Sequence, residues 1–374
     1  VVTHVEFWQD NGDAGAWEPI ETLGLNMNTW SSRPGSYRVF YMVTNGDPKG
    51  VWVSRYVIAD VADNYTYYSG GAGTEGDPYL IANVRDWRRL MLSESDWDKH
   101  FRVIADIDLT QVHVFPVGNA DVPFTGVMDG QGHTLSNCAV ENVGGFQNNV
   151  GLFGAVGGGA YIHNLHLENA SVPGNQGGGG LAGSVTESRL ENCSVSGIVK
   201  GTTFIGALVG HAINSEITSC SADAEVEASG HAGVLIGVAE DCAVSFCSSA
   251  GLLVSYTSAG GLVGRQVGGI ISDSTSAAEV QGFEDTGGFV GTMQGGEISR
   301  STATGKVVGT YANTGGFVGH MNQEAMIFLS SASGQVEGAL AAGGFAGKLY
   351  QATIRQSSAV GSVTGEQRVG GLVG

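Results

Sequence analysis

The chain has 374 residues, with 61 Gly but only 7 Pro, and 17 Lys plus Arg against 36 Asp plus Glu give a formal net charge of -19. So acidic a balance argues against a nucleic-acid backbone or an anionic membrane surface as partner. No run of 18 apolar residues is present, so no membrane-spanning helix is expected. The glycines do not fall at every third position, which excludes collagen and asks instead for a turn repeated at a fixed period.

In chain order, residues 1–62 differ from the rest. Gly is sparse and aromatics are dense, from Phe7 and Trp8 to Trp52 and Tyr56. SYRVFYMV and VWVSRYVIAD alternate apolar and polar residues around TNGDPKG, which predicts a hairpin within a small β-sandwich. The loop DNGDAG places Asp10, Asn11 and Asp13 together as candidate Ca²⁺ ligands, without the closing Glu of an EF-hand. Residues 63–72 read as a linker.

From residue 73 the pattern predicts a parallel β-helix. Residues 83–97 form its one expected helix, with Asn83 as cap, Asp86 in the capping-box position, and Trp87, Leu90 and Met91 on one face. That helix is suited to cover the open end of a solenoid. FRVIADIDL (101–109) and FTGVMDGQGHTLSNCAV (124–140) supply the first, atypical rungs.

Regular repeats start near residue 150. The string G-[LF]-[VAF]-G closes at Gly154, Gly183, Gly210, Gly237, Gly264, Gly291, Gly319, Gly347 and Gly374, at intervals of 29, 27, 27, 27, 27, 28, 28 and 27 residues. Two aliphatic columns keep the same beat: Leu190, Ile217, Val244, Ile271, Ile298, Ile327 and Ile354, then Val199, Val226, Val280, Val307, Val336 and Val363. In the fourth rung Leu252, Leu253 and Val254 run together, and which one joins the second column stays open. Each coil of about 27 residues thus offers three short strands, the fold class being all-β.

Cys193, Cys220 and Cys247 share one column, continued by Ser274, Ser301, Ser330 and Ser357. With no CxxC spacing, these and Cys138 and Cys242 are expected to be small buried residues. The chain begins at Val1 without Met and ends at Gly374 just after a repeat motif, so both ends read as cuts in a longer protein in which this part is monomeric.

The G-G-[LF]-V-G strings, with interiors such as SDSTSAAEVQG (272–282) and SRSTATGKVVG (299–309), resemble GLUG-motif repeats. The resemblance covers residues 73–374 and implies a large exported or surface-anchored bacterial protein, since such repeats accompany adhesin-like proteins and the non-catalytic part of immunoglobulin A1 peptidases. PGSYRVFYMVTNGDPKGVWVSRYVIAD (34–60) is similar to the end of bacterial immunoglobulin-like modules. That likeness implies an Ig-like stalk or spacer over residues 1–62.

Catalytic motifs are absent. None of the nine His forms HExxH, and neither GxSxG nor GxxxxGK[ST] occurs. His163 and His166 sit three apart in a strand-like segment and are expected to face opposite ways. Carboxylates are the remaining candidates: Asp106, Asp108 and Asp129 in the irregular early coils are where a glycoside hydrolase or lyase site would lie, if two of them met at about 5–9 Å. Glu225, Glu227, Glu279 and Glu337 flank the second column, so they should point outward as one acidic, ligand- or cation-binding stripe. The favoured reading is a non-catalytic, secreted or cell-surface segment acting as an adhesive or structural rod, with a surface glycan or a protein of a host or neighbouring cell as partner. The alternative is a β-helical carbohydrate-active enzyme.

Overall fold

A computed structural model describes residues 68–110, 112, 114–140, 148–173 and 176–374, together with the backbone of four strands between residues 2 and 59. Those four strands, Val2–Asp10, Trp17–Leu23, Gly35–Val43 and Val51–Ala59, form one antiparallel sheet. The first pairs with both the second and the third, and Val43 opposite Val51 closes the expected hairpin. Asn11, Asp13 and residues 60–67 lie outside the described residues.

The rest is a right-through stack of parallel coils with three faces. One face is an eleven-stranded sheet running from Tyr79–Ile81 to Thr353–Arg355, and a second has eight strands from Phe153–Val156 to Ala346–Leu349. The third and widest holds twenty strands, because most coils contribute two segments to it. Every pairing within these three sheets joins one coil to the next in parallel, for example Leu190 to Ile217 and Ile217 to Val244. At about 4.8 Å per rung, stacking satisfies the backbone polar groups and leaves the aliphatic columns facing inward.

Both columns read from the sequence are these inward ladders. In the ambiguous fourth rung it is Leu253 that pairs with Val226 and Val280 and is fully buried. Leu252 and Val254 therefore point outward. A single apolar cluster continues from Tyr68 to Ala346. The motif's large residue also lies in it: the rings of Phe289, Phe317 and Phe345 stack with centroids 4.6 and 4.8 Å apart.

The closing glycine is required by crowding rather than by its dihedral angle. A Cβ on Gly237 would sit 2.5 Å from the Gly210 carbonyl oxygen and 2.5 Å from the Ile205 nitrogen, both backbone atoms that cannot swing away. Another corner is turned by left-handed residues of every kind: Asn192, Ser219, Phe246, Asp273, Arg300, Leu329 and Gln356 all have φ between 47° and 56°. Phe and Leu there are strained choices. The hydrogen-bonded column beside them fixes the corner anyway.

That column is the Cys/Ser series. Each side chain donates to the carbonyl two residues back, as Ser274 Oγ does to Ser272 O at 2.7 Å. In its serine half each hydroxyl also accepts the backbone N–H of the column residue one coil earlier: Cys247 N to Ser274 Oγ is 3.1 Å and Ser274 N to Ser301 Oγ is 3.3 Å. All five cysteines are free and buried. Burial pushes the Cys138 thiol up to about 12 and Cys242 up to about 11, so neither is a thiolate at neutral pH.

The one α-helix among the described residues, α1, covers Val84–Leu92 and is shorter than the expected 83–97. Ser93 leaves the helical region and Glu94–Asp96 form a separate 3-10 turn. Asn83 caps α1 by accepting from the Arg85 and Asp86 N–H groups. Asp86 reaches back one residue further than a capping box, to the Ala82 N–H at 2.8 Å and the Ser69 hydroxyl at 2.6 Å. Trp87, Leu90 and Met91 are buried, and the Trp87 ring meets Phe153 edge-on at 6.3 Å.

Candidate functional site

The three early aspartates are built into turns. Asp106 accepts from the Thr134 N–H at 2.9 Å and lies 3.1 Å from His133 Nδ1, and these bonds hold its carboxyl below the ordinary value. Asp108 is likewise lowered, by Asn137 Nδ2 at 2.8 Å and then by the Thr110 hydroxyl and N–H. Asp129 accepts from the Gln131 N–H at 3.0 Å and faces Arg102 and His163. Asp108 belongs to the wide face and Asp129 to the eleven-stranded one. A hydrolase needs one carboxyl kept protonated. Asp106 and Asp108 are shifted the other way.

Asp108 and Asp129 instead begin two amide ladders. Asn137 donates to Asp108 and accepts from Asn169 at 2.8 Å, while Asn164, 3.5 Å from Asp129, accepts from Asn192 at 2.8 Å. His163 and His166 fall on separate strands, Tyr161–His163 and His166–Pro173, on either side of the Asn164 corner. His166 contacts the Ser194 hydroxyl at 2.8 Å. Among the described residues no three His, Cys, Asp or Glu side chains converge as a metal site.

The four glutamates do point outward on the wide face, but in two columns rather than one stripe. Glu225 and Glu279 share a column with Leu252 between them, whereas Glu227 and Glu337 belong to the column of Val254, Gln281 and Val308. Lysines interrupt the charge: Lys200 is 2.7 Å from Glu227 and Lys306 is 2.9 Å from Glu337. Flanking one inward valine on both sides separates neighbours such as Glu225 and Glu227 by two residues, which is why they fall into different columns.

Further along the chain, where the wide face turns toward the eight-stranded one, lies a polar knot. Asp285 accepts from Asn313 Nδ2 at 2.7 Å and the Thr292 hydroxyl at 3.1 Å, with His320 Nδ1 at 3.6 Å. Burial raises its carboxyl, but the bonds from His320, Asn313 and Thr292 outweigh that and leave it below the ordinary value. His231 is lowered by burial and then by Arg265.

One feature of the wide face escaped the sequence reading. Tyr256, Phe283 and Tyr311 stack in parallel outside the solenoid, with centroids 4.4 and 4.8 Å apart and ring planes within 7°. Tyr256 is 55% and Tyr311 45% exposed. Each lies eight residues before a closing glycine, so they repeat at 27 and 28 residues. The same column holds Ser229 one coil earlier, since Ala228 pairs with Ser255. With Leu252, Val254 and Val308 alongside, they form an exposed apolar patch on the wide face.

The fold defined by these coils is that of a β-solenoid repeat protein. The family model of the GLUG motif matches residues 255–281 and 284–308, two successive coils. The chain is 33% identical over 140 residues to halomucin of Haloquadratum walsbyi, covering 35% of this chain and 2% of that protein. It is 30% identical over 143 residues to a protein of Evansella cellulosilytica named as a Gly-rich membrane protein, covering 34% of this chain and 15% of the other. The chain thus spans only a small part of both relatives. Among solved structures it is similar to a protein of Bacteroides ovatus described as an immunoglobulin A1 protease, at 17% identity and a TM-score of 0.42 over 82% of this chain and 87% of that one. A second, an IgA1 protease, gives 14% identity and a TM-score of 0.39 over 98% of this chain and 27% of the other. No helix among the described residues is long and apolar enough to cross a membrane.

Proposed function

We propose that the chain is a non-catalytic segment of an exported or cell-surface protein, in which the β-solenoid serves as a rigid adhesive or structural rod. One observation carries this reading. The early aspartates that a carbohydrate-active enzyme would use are engaged as turn acceptors and ladder ends, while the coils pass from Gly183 to Gly374 with steps of 27 or 28 residues and no inserted loop to wall a cleft. Residues 1–62 then act as an immunoglobulin-like spacer, 63–72 as a linker and 73–374 as the rod with its end helix. A cell-envelope setting accords with one sequence relative being named a membrane protein. The partner is a glycan or a protein on a neighbouring cell, and Asp10, Asn11 and Asp13 are offered as a Ca²⁺ site in the spacer.

A glycan-array screen of the whole chain, with and without Ca²⁺ and with the supernatants assayed for released sugar, tests this. Release of sugar that survives Asp10→Ala but is lost in Asp106→Asn, Asp108→Asn or Asp129→Asn overturns the reading in favour of the enzyme. Binding without product supports it, and loss of binding with a chelator assigns the cation to the contact.

A further inference from the structure

Resting on the adhesive reading, we propose that the exposed aromatic ladder Tyr256–Phe283–Tyr311 is the contact centre for a basic protein surface. The ladder and the outward Leu252, Val254 and Val308 occupy three adjacent rungs, about 10 Å across the rungs by about 13 Å along the strands. That is the size of a buried anchor cluster within a larger protein interface, where tyrosines are enriched. Apolar side chains presented together on an acidic face mark an interaction site.

The geometry selects the kind of occupant. Rings stacked within 7° of parallel at 4.4 and 4.8 Å cover one another's faces, so along the ladder only edges and the two tyrosine hydroxyls point outward. A sugar ring that must lie flat on an aromatic face finds such a face only at the two ends. An apolar protein surface packs against edges and aliphatic groups equally well.

Charge selects further. Around the patch stand Glu225, Glu227, Glu279, Glu284 and Glu337 against Lys200 and Lys306. Those lysines are bound to Glu227 and Glu337, and Glu279 and Glu284 have no ion-pair partner among the described residues. The rim is therefore net negative. A second copy of this chain, at -19, would bring like charge to like charge. A partner with an apolar centre ringed by Lys and Arg completes both parts.

The test uses the whole chain immobilised on a sensor and, as probe, a synthetic 20-residue amphipathic peptide with Lys on one face and Leu and Trp on the other. A matched peptide with Glu for Lys is the control. The expected result is binding of the basic peptide only, protection of Tyr256 and Tyr311 from nitration in the complex, and at least tenfold weaker binding in the double variant Phe283→Ser, Tyr311→Ser. Serine already fills this column at Ser229, and an unchanged melting temperature of the coils checks that the variant folds. A second variant, Glu279→Lys with Glu284→Lys, leaves the ladder intact and should reverse the preference between the peptides.

The proposal is overturned if the basic peptide fails to bind or binds the ladder variant as well as the parent chain. It is also overturned if the acidic peptide binds equally, or if sedimentation shows a dimer that the ladder variant loses. Sugar release in the glycan assay would instead sink the non-catalytic reading, and it is read out separately from these peptides.

Discussion

The early coils, from Tyr79 to Val172, and the later ones, from Ala182 to Gly374, enclose the same apolar core by different means. In the early coils individual side chains do the fixing: Trp87 of α1 against Phe153, Asp86 tied to Ala82 and Ser69, and two asparagine ladders hung from Asp108 and Asp129. In the later coils each position is repeated, and register follows from a column of crowded glycines and a column of Cys and Ser hydrogen bonds. Repetition allows any one corner to hold a poor residue, as Phe246 and Leu329 do at positive φ. A cap has no neighbour copies to lean on.

Trp87→Ala should break the comparison most severely, because a fully buried ring at the end of the stack leaves a cavity with nothing to close it. A loss of about 3–5 kcal/mol is expected. Hydrogen exchange should show residues 79–129 opening while coils beyond Ile217 keep their protection. Gly264→Val should come next, costing about 3 kcal/mol from overpacking, since its Cβ would lie 2.5 Å from two Ala232 backbone atoms. Here protection should fall in the coils on either side and not at α1. Gly76→Val, where a Cβ meets nothing within 4 Å, is the control that should leave the melt unchanged.

Ser274→Ala should cost about 1–3 kcal/mol by orphaning the buried Cys247 N–H, whereas Ser274→Cys should be nearly neutral because the column already holds Cys at 247. Denaturant melts of the two variants side by side would check the column's logic.

The smallest effect is one of pH. His231 is lowered in the folded state by burial and Arg265, so the unfolded chain takes up a proton first. Its stability contribution is intact above the ordinary His value of about 6.5 and is lost as pH falls through the lower folded value. Asp285 acts in the same direction at lower pH: its contribution is present above about 3.9 and disappears as pH drops through its depressed folded value. His231→Asn should flatten the upper part of a stability–pH curve and Asp285→Asn the lower part.

Much of this was legible in the chain. The closing glycines and the two aliphatic columns gave the coil length and the inward residues, because a solenoid forces chemical equivalence at a fixed spacing. Leu252–Leu253–Val254 resisted, since three apolar residues in a row carry no alternation. Only pairing with Val226 and Val280 shows that Leu253 turns inward. The expected helix overruns the observed Val84–Leu92 because SESDW continues a helical composition past Ser93, where the backbone departs. Whether Asp106, Asp108 and Asp129 meet depends on which face each strand joins, and residue types do not encode that. The aromatic ladder was on the beat all along. It is hard to see in the sequence because Tyr, Phe and Tyr differ in name and because Ser229 and Ala339 break the column on either side.

In the stack, coil joins coil through hydrogen bonds that run along the rod, while the chain itself winds across it. Tension applied to the two ends therefore loads those bonds one rung at a time, in peeling rather than in shear. Each coil that lets go frees about 27 residues, or roughly 90 Å of extended chain. A single molecule pulled in a force spectrometer should lengthen in even steps of that size from the Gly374 end, with the segment carrying α1 yielding last. Such a rod lengthens under load instead of snapping.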